Sequence, residues 1–434
     1  MPEVNLGEPR RLVVLTPLLT RDNGGSATAI DLVHASLSLG YDTSMLLTAD
    51  GRWRHYLPSR NPSSLSFSLR HIYALEQVDR IPNDSGSSPA GQPSVSAWRS
   101  SQSVGGWVKK RAKHGVLLTE RAWTRRSAQN ALHTASVIVD IGGNLRRASS
   151  LGTGLRPDAA LVFNHNGSME QAAAAISRTR SLDSIDWDSY RATLRGYNTI
   201  LLQSDDVAQQ ISEFDKDLGQ RCVVLKPSSD EAAVLASLNS LSPFKCGERS
   251  VLIVGSVQPR KNQLAAIEAL HDALRSGEIT LHLVGAMVDQ EYVRHVRKRV
   301  AELSIVGSVV MHGHRSDYLR YLAHCDVVVQ PSLAEGVSRT LREAMLLAKP
   351  IVASAISGTM STLQHDESAL LVNPRDALGL RAAVGRVLDD DQLASRLGRD
   401  AQARYLQHNS WTNYLIGVRK LVELDRISVP ESAS

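Results

Sequence analysis

A chain of 434 residues with 42% apolar and 21% charged side chains can build two or three domains with separate cores, and is neither a disordered segment nor a membrane bundle. Its net charge of +5 is mild, its aromatics (5%) are too sparse for a single-strand stacking platform, and no nucleic-acid module is recognisable, so nucleic acid is excluded as a partner. Cys222, Cys246 and Cys325 are scattered without metal-like spacing, which predicts neither a disulfide framework nor a zinc site and points to a reducing compartment.

No apolar run approaches the roughly 18 residues of a membrane span. Arg10-Arg11 followed by Leu12–Thr20 looks superficially like a signal peptide, but the run is short, broken by Pro17, and flows into a glycine turn and an amphipathic helix. It reads as the first strand of a cytoplasmic protein. The strand is expected at Leu12–Thr16, the turn at Asn23-Gly24-Gly25-Ser26, a helix over Ala27–Leu39 and a second strand at Thr43–Thr48. This opens a doubly wound domain without the full Gly-x-Gly-x-x-Gly fingerprint, which disfavours a dinucleotide enzyme.

Residues 83–106 are rich in Ser, Gly and Pro with few aliphatic side chains, and read as a flexible insertion. The basic segment 107–126 that follows is either a solvated helix face or a peripheral contact to the anionic inner face of a membrane or to an anionic acceptor. Further strands are expected at Ser136–Asp140, Ala160–Asn164, Asn198–Gln203 and Arg221–Leu225. A polar linker then spans Ser240–Glu248. The second series of strands comprises Ser250–Val254, Ile279–Val284, Ser308–Met311, Asp326–Gln330, Pro350–Ala353 and Ala369–Val372, with helices between, the alternation of a covered parallel sheet.

The segment Pro331-Ser-Leu-Ala-Glu335-Gly-Val-Ser-Arg-Thr-Leu-Arg-Glu343-Ala-Met345 leaves one of these strands and enters a helix with apolar residues at Leu341, Ala344, Met345 and Ala348. A strand, a small-residue turn and a helix N-terminus make an anion site, because unpaired N–H groups and the helix dipole point at the ligand. Glu335 and Glu343 could by themselves be exposed helix-end carboxylates. Set around an anion site, they suit a ligand that also carries hydroxyl groups.

This segment resembles the Glu-x7-Glu signature of the retaining nucleotide-sugar glycosyltransferases of family 4. The resemblance implies an α/β chain of the GT-B type, with two facing Rossmann-like doubly wound domains and a C-terminal helix crossing back to the first. The expected division is 1–242 for the acceptor-side domain, 243–408 for the nucleotide-sugar donor domain, and 409–434 for the crossover helix and tail. Val254-Gly255-Ser-Val-Gln-Pro259-Arg260-Lys261-Asn262, otherwise an ordinary surface turn, resembles the family's Gly-x-x-x-Pro-x-Lys segment, whose lysine binds the donor diphosphate. The family's usual Arg after the glycine is here Ser256, with Arg260 as the compensating cation.

The resemblance further implies that Gly24 and Gly25 face the donor phosphates, that the turn holding His314 lines the nucleobase pocket, and that His165 lies near the reacting sugar. Lys261 would stabilise the leaving diphosphate, Glu335 with Gly336, Val337 and Ser338 would hold the sugar and phosphate, and Glu343 the ribose. Taken alone, His165 is an ordinary turn histidine. Asp186-Trp-Asp188 and Asp215-Lys-Asp217 match an Asp-x-Asp metal motif in form, but read as helix-surface charges, so no metal or other cofactor is expected. The expected partners are a nucleotide-sugar donor and a hydroxyl acceptor of unassigned class (glycan, lipid, protein or small molecule). Glu335-Gly-Val-Ser-Arg339 replaces the family's Glu-Gly-Phe-Gly-Leu, Ser357-Gly-Thr-Met-Ser361 its Gly-Gly-x-x-Glu, and Lys226-Pro-Ser-Ser229 its Pro-Asn-Gly. These departures keep two rivals open: a catalytically silent GT-B partner subunit, and a sugar-nucleotide epimerase on the same fold.

Overall fold

A computed structural model describes residues 11–16, 24–49, 52–56, 129–141, 155, 158–165, 167–177, 179 and 182–423. The insertion at 83–106 and the basic segment at 107–126 lie outside them. The chain divides into two compact units, Met1–Val162 and Phe163–Ser434, so the expected linker at Ser240–Glu248 lies within the second unit.

In the first unit the strands are β1 (Arg11–Thr16), β2 (Asp42–Ala49), β3 (Arg52–Tyr56), β4 (Val137–Ile141) and β5 (Ala160–Asn164), lying side by side in the order β3-β2-β1-β4-β5. Helix α1 (Gly24–Ser38) connects β1 to β2, which pair in parallel, as do β1 and β4. Val13 and Leu15 of β1 and Ile138 of β4 share one buried cluster with Ala131 and Leu132. Two expectations change here. Gly24 and Gly25 are the first residues of the helix rather than a turn before it, and β3 is an antiparallel edge strand on β2 that no apolar run announces.

The unit boundary falls inside β5. The second unit continues with α2 (Met169–Ser177), α3 (Trp187–Arg195), β6 (Thr199–Leu202), α4 (Asp205–Phe214), α5 (Lys216–Gln220), β7 (Cys222–Val224) and α6 (Glu231–Ala236). Then come β8 (Ser250–Val254), α7 (Gln263–Ala269), α8 (His271–Ser276), β9 (Thr280–Val284), α9 (Gln290–Glu302), β10 (Val309–Gly313), α10 (Tyr318–His324) and β11 (Val327–Gln330). The rest is α11 (Arg339–Leu346), β12 (Ile351–Ser354), α12 (Ser357–Met360), β13 (Leu370–Val372), α13 (Ala377–Asp389), α14 (Asp391–His408) and α15 (Trp411–Glu423).

Strands β8–β13 form a parallel sheet in the order β10-β9-β8-β11-β12-β13. Alternate residues bury on opposite faces: Val251, Ile253, Val327 and Val329 join the core under α7, α9 and α13, while Leu252 and Val328 join the core under α10 and α11. Burial on both faces is why these strands read as unbroken apolar runs. The strand order reverses between β8 and β11, and a ligand in an open α/β sheet sits at the carboxyl ends flanking such a switch point. Those ends carry the Gly255 turn and the Glu335 turn.

Helix α15 packs on the chain that follows β7. Asn409 Nδ2 donates to Pro227 O at 2.9 Å, the Trp411 N–H donates to Glu231 at 2.7 Å, and Gly417 faces Leu225 so closely that a β-carbon would come within 2.4 Å of its side chain. The Asp-x-Asp segments differ in detail from the expected helix-surface charges. Asp186 and Asp215 are N-caps, accepting from Ser189 N and from Asp217 N and Leu218 N, and Asp215 also pairs with Arg195 at 2.9 Å.

Candidate active site

Two loops build the site. After β8 the chain turns at Gly255, whose φ of +154° is unfavourable for a side-chain-bearing residue. The Lys261 side chain lies across it, with Cε 3.1 Å from where a β-carbon would stand. Pro259–Lys261 form one 3-10 turn, and Asn262, in the left-handed region, ends it. Asn262 Nδ2 donates to Pro331 O at 3.1 Å and to Pro374 O at 3.3 Å, tying this turn to the loops after β11 and β13. Leu333 N–H donates to Arg260 O at 2.9 Å, and Arg260 Nη1 to Ala334 O at 2.7 Å.

That lacing delivers Glu335 to the cations. Its Oε1 lies 2.7 Å from Lys261 Nζ and 2.8 Å from Arg260 Nη1, with the Glu335 and Lys261 side chains only 10% and 14% exposed. Burial pushes the Glu335 carboxyl up, but the two cations overcome it and hold the group below the usual carboxylate range. Gly336 and Val337 follow, and Ser338 caps α11: its Oγ accepts from Leu341 N at 3.5 Å and donates to Gln330 Oε1 at 2.7 Å. Ser338, where the family pattern has glycine, is therefore a capping residue.

Glu343 lies one turn into α11, buried, and accepts from the Tyr318 hydroxyl at 2.7 Å. Burial first, and the neighbouring carboxylate second, push the Tyr318 phenol well above its ordinary range, so it stays a donor. Tyr318 was not among the expected site residues. It lies 25 positions upstream on another helix, with no spacing cue to link it to Glu343.

His165 sits just past the end of β5, fully buried, with Nε2 2.9 Å from the Tyr190 hydroxyl and aromatic edges of Phe163 and Tyr190 about it. Desolvation lowers its pKa to about 4, so the ring is neutral near pH 7. Its Nδ1 is buried and makes no hydrogen bond among the described residues. The adjoining Gly167 meets Gly336: a β-carbon on Gly336 would lie 3.0 Å from Gly167 Cα. The start of α12 closes on the same point, since a β-carbon on Gly358 would fall 2.2 Å from Gly336 O and 2.4 Å from Glu335 O. Ser357 Oγ donates to Asp206. The partly open cleft between these turns is lined by Gly167, Gln203, Val207, Glu335, Val337 and Ser357, among others.

Of the expected residues, the structure thus brings together Gly255, Arg260, Lys261, Glu335, Gly336, Val337 and Ser338, and places the turn after His165 against them. Glu343 is on the same helix with its carboxylate toward Tyr318. His314 is exposed beyond the end of β10, and Gly24 and Gly25 stand at the start of α1 in the first unit. Gly285, where a β-carbon would stand 1.9 Å from Gly255 O, and Gly358 were not among the expected residues, because each matters through backbone approach rather than a side chain. Among the described residues no group of three or more His, Cys, Asp or Glu side chains converges, and no helix is long and apolar enough to cross a membrane.

Residues 242–404 match the family model described as Glycosyl transferases group 1. This part of the chain is similar to the group 1 glycosyltransferases. The match contains both loops and with them the Lys261–Glu335 pair. Curated relatives align over a comparable length of the chain. A glycogen synthase of Mycobacterium tuberculosis is 29% identical over 168 residues, which are 38% of this chain and 40% of that protein. An MMP alpha-(1->4)-mannosyltransferase of Mycolicibacterium hassiacum is 33% identical over 172 residues, 36% of this chain and 42% of that protein. This chain therefore spans about two fifths of the length of these relatives. Over nearly the whole chain, the structure is similar to that of the Anabaena protein Alr3699/HepE in complex with UDP and glucose, with a TM-score of 0.65 and 18% identity, covering 95% of this chain and 99% of that one. This likeness shows the fold: it is GT-B.

Proposed function

We propose that the protein is a retaining glycosyltransferase that moves a sugar from a nucleotide diphosphate donor to a hydroxyl acceptor without a metal. The observation that carries this reading is the buried Glu335 carboxylate gripped by Lys261 and Arg260 just ahead of the α11 N-terminus. Two cations and a set of helix N–H groups suit a diphosphate, and the carboxylate suits sugar hydroxyls. The UDP and glucose named for the Anabaena complex support a UDP-sugar as the first donor to try.

In this reading the bond between the sugar's anomeric carbon and the diphosphate oxygen breaks as the acceptor oxygen bonds to that carbon on the same face. The acceptor's proton passes to the departing phosphate oxygen. Lys261, Arg260 and the α11 N-terminus stabilise the charge growing on the diphosphate, which is where electrostatic stabilisation acts on the transition state. Glu335 holds sugar hydroxyls and offsets positive charge on the ring, and Glu343 holds the ribose. His165, neutral at pH 7, serves as a hydrogen-bonding group rather than a cation.

The test is a thermal-shift and turnover screen of UDP-, GDP- and ADP-sugars on the wild type, Lys261→Ala and Glu343→Ala, run with and without EDTA. One donor should stabilise the wild type and be slowly hydrolysed, equally in EDTA, and both variants should lose the hydrolysis. If no nucleotide sugar binds at millimolar concentration, the transferase reading is wrong and the silent subunit takes its place.

A further inference from the structure

A second, partly open polar pocket adjoins the first, and Gln203 and Val337 line both. Its far wall is cationic. Arg404 and His408 lie four residues apart on α14, hence on one face of the helix, and Lys226 follows β7. The backbone here is pinned: Asn409, buried at the end of α14, donates to Pro227 O at 2.9 Å, which fixes the helix end beside Lys226. Arg404 is fixed too, with Nε donating to Thr362 O at 2.7 Å and Nη1 to Gln364 Oε1 at 3.2 Å. The anionic neighbour is Asp205, 2.9 Å from Lys226 Nζ, and its side chain is 72% exposed. An ion pair that open to solvent contributes little and yields readily to a competing anion.

We propose that Lys226, Arg404 and His408 form an anion subsite, joined to the Glu335 cavity through Gln203 and Val337, that seats a phosphate monoester carried by the acceptor. Two fixed charges and a third titratable one exceed what Asp205 neutralises, and a dianion suits that excess. The Lys261–Arg260 pair already answers the donor's diphosphate, so a separate cationic wall on the other side of Val337 answers a second anion. His408 reports the field directly. Burial lowers its pKa, and Lys226 and Arg404 lower it further, although a helix C-terminus by itself favours the cation.

The acceptor role rests on the transferase reading; the anion site itself does not. The His408 ring resonance, assigned with His408→Gln, is titrated with pH in inorganic phosphate and in chloride of equal ionic strength. Phosphate should raise the proton affinity of His408 by about tenfold, as a nearby opposite charge does. The rise should vanish in Lys226→Ala and persist in Lys261→Ala, where any phosphate at the donor site is lost instead. No phosphate-dependent change, or an equal change in Lys226→Ala, overturns the site. The source is decided by turnover with the donor and either glucose 6-phosphate or glucose. Product from the phosphorylated sugar alone, reduced by Lys226→Ala, supports the acceptor role. Phosphate binding without selective use of the phosphorylated sugar overturns that role and leaves a site for the free anion. Failure of the donor screen would instead remove the transferase reading while leaving the His408 titration intact.

Discussion

Gly285, the residue after β9, has no side chain to offer a ligand, yet Gly285→Ala is expected to damage the proposed donor site. A β-carbon there would stand 1.9 Å from Gly255 O and 2.4 Å from Gly255 C. Carbon–oxygen contacts below about 3 Å are not tolerated, so one backbone must move by roughly 1 Å. The obstacle is backbone, not the end of a flexible side chain. Gly255 is fixed from the other direction because its N–H donates to Val284 O at 2.9 Å and Lys261 lies over it. Overpacking of this kind costs about 1–3 kcal/mol, or about 1–3 °C in Tm for a chain this size. A misplacement near 1 Å at a catalytic loop costs on the order of 10²-fold in rate. The assay pairs Tm by circular dichroism with donor affinity and turnover, beside Gly385→Ala as control. Gly385 is inside α13 with open space where its β-carbon would go, so that change should raise stability by up to about 1 kcal/mol. Wild-type Tm and donor affinity in Gly285→Ala would refute the reasoning outright.

Tyr318→Phe removes a donor from the buried Glu343 carboxylate, which should weaken donor binding by about 1–3 kcal/mol, read as a higher KM for the donor with kcat less affected. The folded Glu335 pKa is depressed, so its contribution to stability is complete above the unfolded value near 4.3 and is lost as pH falls through the folded one; Glu335→Gln should flatten the Tm profile over that acidic range. His165 has a folded pKa of about 4 against about 6.5 unfolded, so the unfolded chain binds the extra proton between them. Stability from this group is complete above pH 6.5 and falls by about 3 kcal/mol as pH drops to 4, a slope that His165→Gln should remove in urea melts at stepped pH.

What the sequence discloses and what it conceals divide along a physical line. Ala160–Asn164 and Ser250–Val254 are strands at the residues expected, because strands buried on both faces must be apolar throughout. Lys261, Arg260 and Glu335 were also legible, since each stands at a fixed offset from a strand end or a helix start. Edge strand β3 was not, because Arg52-Trp-Arg-His-Tyr56 holds no apolar run. Gly24 and Gly25 were assigned to a turn because glycine is a poor helix former, a preference that tertiary context overrides at a helix start. The Asp186 and Asp215 caps were hidden behind an i, i+2 spacing, when the acceptor geometry that matters reaches two or three residues along the backbone.

The least legible features join turns that are distant in sequence. Gly285 admits the carbonyl of Gly255, Gly358 admits those of Glu335 and Gly336, and Gly336 itself rests on Gly167. None of these contacts has a side chain to leave a pattern. Together they fix the backbone on which Lys261 and Glu335 meet at 2.7 Å, with the Gly255–Gly285 contact beneath the lysine and the Gly358 contact beneath the carboxylate. A motif can therefore retain Lys261, Glu335 and Glu343 and still lose its geometry through a single methyl group at either glycine. The altered Val337-Ser338-Arg339 leaves that frame standing, because the two side chains that meet depend on backbone carbonyls which those three residues do not supply.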